Sequence, residues 1–384
     1  MIRFILSFLL LLASVSMGAK ADSTAVVHGV SAGVRPAYVI RNHEFFGGEN
    51  VTGRPVSMAT SVHLQYSFSF PAASALGRMF PTSYQGVGVA SYSFFNREAI
   101  GSPVALYVFQ GARIAQLAER LSLDYEWNFG VSSFWEPNDV VSTRMNAYIN
   151  AGVMLSWYPL PEWRFSAGVD LTHFSNGDTT LPNGGVNTFG ARFTASRLFG
   201  DGLVQVPERS FQNRLAERGF LKRTSVDVIL CGAWYEETVL YGKKDRKIDG
   251  KFGVLALHVN PLYKLTHYLS VGPSVDVQFN EGINLPDHIA GVNPVTDVMK
   301  FHRPPLSEQL GVGLSARVEF QAPIFSINMG LGHNVIYKGE ELAGMYCILA
   351  LKTFLYEGLF IHTGLKVCSS TSANNLLLGA GWRF

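Results

Sequence analysis

The chain has 384 residues and a formal net charge of +2, and 47% of its residues are hydrophobic while only 16% are charged. A typical soluble domain carries roughly 25% charged residues, so this composition is too apolar for an ordinary secreted enzyme. The near-neutral charge gives no reason to expect a nucleic acid partner, and the three cysteines lie at no spacing typical of a disulfide framework or a metal site.

The chain begins with the three parts of an export signal. Arg3 supplies the positive charge, residues 4–13 form a short apolar core, and Ala19-Lys20-Ala21 is a cleavage motif. We therefore assign residues 1–21 to a signal peptide. The rest of the chain has no apolar run of the roughly 18 residues that a membrane-spanning helix needs. If the mature protein spans a membrane, it must do so as a closed β-barrel.

Apolar and polar residues alternate along most of the mature chain, which is the period of a β-strand. The alternating segments are about ten residues or longer and end in aromatic residues, as the strands of outer-membrane barrels do. We predict about sixteen strands, with fourteen or twelve as alternatives. They are expected near residues 26–40, 60–70, 84–95, 102–111, 117–135, 146–158, 162–175, 186–199, 224–240, 251–262, 267–279, 308–320, 324–336, 346–356, 358–368 and 374–384.

The predicted fold is therefore all-β, a transmembrane antiparallel outer-membrane β-barrel. The charged residues Asp124, Glu126, Arg317 and Glu319 occupy the polar face of their strands and are expected in the lumen. The last strand ends in Phe384, which resembles the signal that the bacterial barrel-assembly machinery reads. We expect the outer membrane of a Gram-negative bacterium, with that machinery as a partner during insertion.

The number of barrels is less evident from the pattern. Residues 22–200 and 201–384 each contain eight of the predicted strands, and residues 201–222 between them are charged and irregular. The second half is therefore either a separate eight-stranded barrel or the continuation of the first. We favour one barrel of about sixteen strands, in which residues 201–384 supply further strands.

Three polar residues interrupt the apolar face of one predicted hairpin. His173 and Ser175 continue the face formed by Trp163, Phe165, Ala167, Val169 and Leu171, and Asn187 shares a face with Phe189 on the next strand. Polar groups that face lipid must reach the interface or find partners. One interpretation is that the three residues only mark the edge of the apolar band.

The second interpretation is chemical. Residues i and i+2 of a strand point the same way, so His173 can act as general base on the Ser175 hydroxyl. Asn187 on the neighbouring strand can then orient the imidazole. The hairpin would thus carry a nucleophile, a base and an orienting group on one surface.

These residues also resemble a known family. The run His173-Phe174-Ser175-Asn176-Gly177, followed by Pro182-Asn183-Gly184-Gly185-Val186-Asn187, is similar to the motif of the lipid A 3-O-deacylases, outer-membrane esterases of the PagL type. The resemblance covers about residues 25–200, because that family type is an eight-stranded barrel. It implies that His173 is the base and Ser175 the nucleophile, and that Asn176, Gly177 and Asn183 form the region that stabilises the oxyanion.

The sequence departs from the family motif at one position. The family has a glutamate fourteen residues after the histidine, and Asn187 occupies that position here. Asparagine can hold a histidine tautomer but cannot neutralise the imidazolium that forms during catalysis. Asp178 in the following loop is the nearest other acid, whereas Asp170 falls on the opposite face of its strand.

The sequence therefore predicts a serine esterase that removes an ester-linked acyl chain from lipid A or lipopolysaccharide in the outer leaflet. Neither a metal ion nor an organic cofactor is required by this chemistry. Two alternatives remain open: a non-catalytic barrel that serves as a porin, adhesin or scaffold, and a phospholipase that uses the same residues. The missing glutamate and the doubled length favour the first of these.

Overall fold

The computed structural model describes residues 26–71, 74–200, 223–241, 244–293, 299–368 and 374–384. The predicted signal peptide, residues 1–21, and the irregular segment 201–222 lie outside them. The described residues form twenty strands: β1 (Val27–Val39), β2 (Met58–Ser69), β3 (Tyr84–Ser93), β4 (Gly101–Ala118), β5 (Leu121–Trp135), β6 (Met145–Leu160), β7 (Trp163–Ser175), β8 (Val186–Phe199), β9 (Thr224–Tyr235), β10 (Thr238–Tyr241), β11 (Lys244–Lys247), β12 (Phe252–Lys264), β13 (Leu269–Asn280), β14 (Ile289–Val292), β15 (Met299–Phe301), β16 (Leu310–Gln321), β17 (Phe325–Ile336), β18 (Met345–Tyr356), β19 (Leu359–Cys368) and β20 (Asn375–Arg383).

Sixteen of these strands form two closed antiparallel barrels of eight strands each. The first barrel contains β1–β8 and closes where β1 pairs with β8. The second contains β9, β12, β13 and β16–β20 and closes where β20 pairs with β9. The predicted all-β barrel fold and strand number are confirmed, but the single barrel that we favoured is wrong. In each half the first strand pairs with the last, so neither barrel has an unpaired edge strand through which the two could merge into one sheet.

The connections between strands differ in length at the two ends of the barrels. Long links lie at one end, including residues 40–57 and the described parts of the link between β13 and β16, residues 281–293 and 299–309. Tight turns such as residues 161–162 lie at the other end. Outer-membrane barrels place long loops outside and short turns in the periplasm, which assigns the two ends. The remaining short elements are the hairpin β10–β11, the hairpin β14–β15 and five helical turns at Glu44–Gly47, Ala75–Met79, Arg97–Ile100, Leu285–His288 and Leu306–Gln309.

Charged and aromatic side chains fill the lumen of the first barrel. Glu126 lies 2.7 Å from Arg192, and Arg35 lies 3.2 Å from Asp170. Nearer the outer end the filling becomes aromatic, and Tyr148 is fully buried. An eight-stranded barrel is only wide enough for its own side chains, so this lumen is a packed core.

The second barrel is filled in the same way. Lys352 Nζ lies 2.6 Å from Asp227 and 2.5 Å from Glu319, and Arg383 contacts both carboxylates. Arg317 lies 2.6 Å from Asp276 at a higher level. The expectation that Asp124, Glu126, Arg317 and Glu319 face the lumen is confirmed, because each is at most 3% exposed. No helix in the described part of the chain is long and apolar enough to cross a membrane.

Candidate active site

The three polar residues of the β7–β8 hairpin lie together on the outer wall of the first barrel. His173 and Asn187 are direct partners across the two strands, and Ser175 is two residues further along β7. Their neighbours Thr172 and Phe174 point into the lumen and are buried. Strand alternation alone therefore places the imidazole, the hydroxyl and the carboxamide on the membrane side, at the outer end of the barrel.

A continuous chain of hydrogen bonds joins the three side chains. His173 Nδ1 lies 2.7 Å from Asn187 Oδ1, and His173 Nε2 lies 3.0 Å from Ser175 Oγ. A carboxamide oxygen only accepts, so Nδ1 must carry the hydrogen. Nε2 is then the acceptor for the serine hydroxyl, which is the tautomer that a general base needs.

The backbone of the following loop holds the imidazole from its other side. Gly185 has a φ of +68°, and a Cβ built there would lie 3.1 Å from His173 Cε1. The loop is fixed at this point by the amides of Gly184 and Gly185, which both donate to Val140 O. Asn42 Nδ2 also donates to the carbonyl of Gly184, at 2.8 Å. The contact between Gly185 and the ring was not foreseen from the sequence, although glycine at a positive φ is a known signal of close approach.

The residues expected to stabilise an oxyanion lie in the same loop, but most of their polar groups are engaged. The Asn176 amide donates to Asn183 Oδ1 at 3.0 Å, and Asn176 Nδ2 donates to Thr180 O at 2.7 Å. Asn183 Nδ2 donates to Asp178 Oδ1 at 3.1 Å, which leaves its second N–H without a partner among the described residues. The Gly177 amide likewise has no partner in the described part of the chain. Asn176 therefore shapes the loop, whereas Gly177 and Asn183 retain donors.

The two acids considered from the sequence do not contact the imidazole. Asp170 faces the lumen, where it pairs with Arg35. Asp178 accepts from Asn183, and no contact between it and His173 is found in the described residues. Of these three side chains, only Asn187 contacts the imidazole in the described part of the chain.

The second barrel contacts this loop directly, which the sequence did not reveal. The Leu181 amide donates to Glu236 Oε2 at 2.8 Å, and the Glu236 amide donates to Asp178 O at 3.0 Å. A Cβ on Gly177 would lie 2.6 Å from Leu376 Cγ on β20. The loop beside Ser175 is thus held from both barrels.

Two acids in the loop after β9 have shifted pKa values. Partial burial alone would raise the pKa of Glu236, but hydrogen bonds from Lys247 and the Leu181 amide lower it. Burial raises the pKa of Glu237 to about 8, and the charges of Glu341 and Asp178 act in the same direction. Carboxyl groups of both barrels therefore meet beside the candidate site.

Comparison with known proteins gives two family matches. The lipid A 3-O-deacylase (PagL) model matches residues 59–196, which include the β7–β8 hairpin. A model described as the C-terminal domain of acyloxyacyl hydrolase (PagL_C) matches residues 224–384, which form the second barrel. No curated protein matches the chain.

Solved structures of outer-membrane proteins are similar only at low scores. Neisserial surface protein A has 8% identity over 47% of this chain and 99% of its own, with a TM-score of 0.28. The siderophore receptor PirA from Pseudomonas aeruginosa has 9% identity over 95% of this chain and 82% of its own, with a TM-score of 0.26. Omp33 from Acinetobacter baumannii has 7% identity over 93% of this chain and 99% of its own, with a TM-score of 0.19. These likenesses are too weak to carry an argument.

The two family models cover most of the chain between them, and the first spans the His-Ser motif. The fold agrees with them, because the first match lies within the first barrel, over β2–β8, and the second covers the second barrel. The protein therefore belongs to the lipid A 3-O-deacylase (PagL) family of acyl ester hydrolases, and its place is the outer membrane of a Gram-negative bacterium.

Proposed function

We propose that Ser175 is the nucleophile with which this lipid A deacylase cleaves its ester. Ser175 Oγ attacks the carbonyl carbon while its proton passes to His173 Nε2. The tetrahedral intermediate collapses as Nε2–H returns the proton to the departing sugar oxygen, which leaves as a hydroxyl. The acyl-serine is then hydrolysed by water, activated by the same imidazole. General base catalysis of this kind contributes about 10²- to 10⁴-fold in rate.

The observation that carries this proposal is the hydrogen-bond chain from Asn187 through His173 to Ser175. It fixes the tautomer, so that the lone pair of Nε2 points at the hydroxyl. We assign the Gly177 amide and the second N–H of Asn183 as the donors to the negative oxygen of the intermediate. Preorganised donors at such a position stabilise the developing charge. Asn187 completes the arrangement by orienting the ring.

The location of the site supports a lipid substrate. Ala147 and Ile149 on β6 flank Ser175 and His173 on the outer wall. A lipid in the outer leaflet reaches this wall by lateral diffusion with its acyl chains already in hydrocarbon. The two lumens, in contrast, are filled with ion pairs and aromatic rings, which disfavours a pore.

The test is a comparison of lipid A from cells that express the wild type, Ser175→Ala or Ser166→Ala. Ser166 lies on the same strand but faces the lumen, where its hydroxyl lies 2.9 Å from Ser156 Oγ, so it is a matched control. We expect mass spectrometry to show loss of one hydroxyacyl chain with the wild type and Ser166→Ala only. Identical lipid A from all three strains would contradict the proposal and favour a non-catalytic barrel. Lysophospholipid formed instead of deacylated lipid A would identify a phospholipase.

Insertion into the membrane is a separate step. We also propose that the barrel-assembly machinery recognises β20 and the terminal Phe384. Deletion of Phe384 is expected to lower the amount of folded protein in the outer membrane, measured as heat-modifiable mobility on gels. Unchanged assembly would remove this partner from the proposal.

A further inference from the structure

A large, mainly apolar cavity lies between the two barrels. It has a volume of about 1460 Å³, which exceeds the roughly 300–1,000 Å³ of pockets that hold a small molecule. Outward-facing side chains of β5–β8 line one side of it. They are Trp127, Ala151, Val153, Val169, Leu171 and Phe189.

The cavity begins directly below the candidate catalytic residues. Leu171 lies two residues before His173 on β7, and Phe189 lies two residues after Asn187 on β8, all on the same outward face. Two residues of a strand span roughly 7 Å. Ser175 lies four residues from Leu171 along β7, which is roughly 13 Å. A long acyl chain whose carbonyl is at Ser175 therefore reaches the cavity, whereas a four-carbon chain does not.

The second barrel supplies the opposite wall. Phe320, Phe325 and Ile327 point outward from β16 and β17 into the cavity. Phe325 is only 2% exposed although it faces away from its own lumen, because Trp127 packs against it with ring centroids 5.1 Å apart. The wall from β16 and β17 is thus closed against the first barrel at this point rather than open to the membrane.

The position of that wall is fixed at its outer end as well. Glu236 from the second barrel bonds to the backbone of Leu181 and Asp178 in the loop beside Ser175. The two barrels are therefore joined both at the loop and lower down at Trp127. A cavity between two joined walls has a defined width, whereas a single barrel would offer an open surface.

We propose that this cavity is the acyl-chain binding site of the deacylase and that the second barrel determines which chains fit. The proposal rests on the proposed function, since it places the ester of a lipid substrate at Ser175. The occupant is a fatty acyl chain, because the side chains nearest the site are apolar on both walls. The charged lining residues Arg113 and Glu119 lie at the opposite end of the cavity, at the end of β4 and in the turn after it. The second barrel is then a specificity element of the enzyme.

The test narrows the cavity from the second barrel and leaves the catalytic hairpin unaltered. Ile327→Trp adds a ring on the cavity side of β17, and Met329→Trp makes the equivalent change at the next outward position, which is 43% exposed and lies outside the cavity. Full-length variants are assayed in one detergent with p-nitrophenyl butyrate and p-nitrophenyl myristate. Ser175→Ala is measured alongside them.

We expect Ile327→Trp to lower kcat/KM for the myristate ester by about ten-fold or more, as a misfit in a hydrophobic pocket does. The kcat/KM for the butyrate ester should stay unchanged. Met329→Trp should match the wild type on both esters. Equal rates for the two tryptophan variants, or equal losses on both esters, would overturn the acyl site. Ile327→Ala gives a second check, because the loss of an apolar contact along the chain should lower the myristate-to-butyrate ratio, and an unchanged or raised ratio would contradict the proposal. Full activity of Ser175→Ala would instead refute the proposed function.

Discussion

Replacement of Asn187 by aspartate tests the electrostatics of the candidate site without changing its shape. The two side chains are isosteric, so the aspartate would keep the acceptor that lies 2.7 Å from His173 Nδ1. What changes is the charge beside the imidazolium that forms when Ser175 loses its proton. We expect Asn187→Asp to raise kcat.

The size of the increase follows from Coulomb's law. A unit charge about 4 Å from the charge of the ring gains about 4 kcal/mol at the effective dielectric constant near a protein surface. His173 is only partly buried, so solvent screening reduces this value, at most to the roughly 1 kcal/mol found in bulk water. The expected increase is therefore between about five-fold and a thousand-fold. It should stay below the roughly 10⁴-fold effect of the reverse exchange in serine proteases, where the tautomer is lost as well.

The assay is single-turnover hydrolysis of p-nitrophenyl butyrate by purified, folded protein, followed by mass spectrometry of lipid A. Asn187→Leu is the matched control, because it keeps a similar volume but removes the acceptor and should lower kcat on the order of a hundred-fold or more. If Asn187→Asp folds normally and is no faster than the wild type, imidazolium formation at His173 is not part of the slow step. That result would refute the reasoning.

Three further predictions concern the surroundings of the site. Gly185→Ala should lower kcat roughly ten-fold or more, because its strained backbone and new Cβ displace the imidazole of His173, whereas Gly184→Ala, whose Cβ would lie 3.3 Å from the nearest atom, should retain activity. Because the pKa of Glu237 is raised, the folded state binds its proton more tightly than the unfolded state does. Thermal stability should therefore fall as pH rises from about 4.5 to about 8, and Glu237→Gln should flatten this pH dependence. Glu126→Ala should destabilise the protein by about 3–5 kcal/mol, measured by denaturant unfolding in detergent, because it leaves lumenal arginine charge unpaired; a change below about 1 kcal/mol would contradict the packed lumen.

The strands could be predicted from the sequence because their signal is local. Alternation with period two is visible in any ten residues, and the predicted segment 186–199 agrees with β8 at both ends. The same alternation placed His173, Ser175 and Asn187 on one face, since side-chain direction in a strand depends only on counting residues. Their roles in catalysis stay predictions.

The arrangement of the strands could not be predicted in the same way. Closure depends on pairs such as Ala32 with Ala195 in one barrel and Leu230 with Ala380 in the other, which are far apart in sequence. Alternation is identical whether eight strands close or sixteen do. Likewise, nothing near Leu181 in the sequence indicates that Glu236 binds its amide, because contacts between loops have no period to reveal them.

The hydrogen-bond chain also explains how the outer wall tolerates three polar residues. A buried polar group without a partner costs about 1–3 kcal/mol, and a hairpin with three such groups facing lipid would be strongly destabilised. Here both ring nitrogens of His173 form hydrogen bonds, Nδ1 with the Asn187 carboxamide oxygen and Nε2 with the Ser175 hydroxyl. Among the described residues, removal of the Ser175 hydroxyl takes a partner only from His173 Nε2, which lies at the partly exposed outer end of the barrel. Ser175→Ala should therefore stay folded, so that any loss of deacylation in this variant reports on chemistry rather than on assembly.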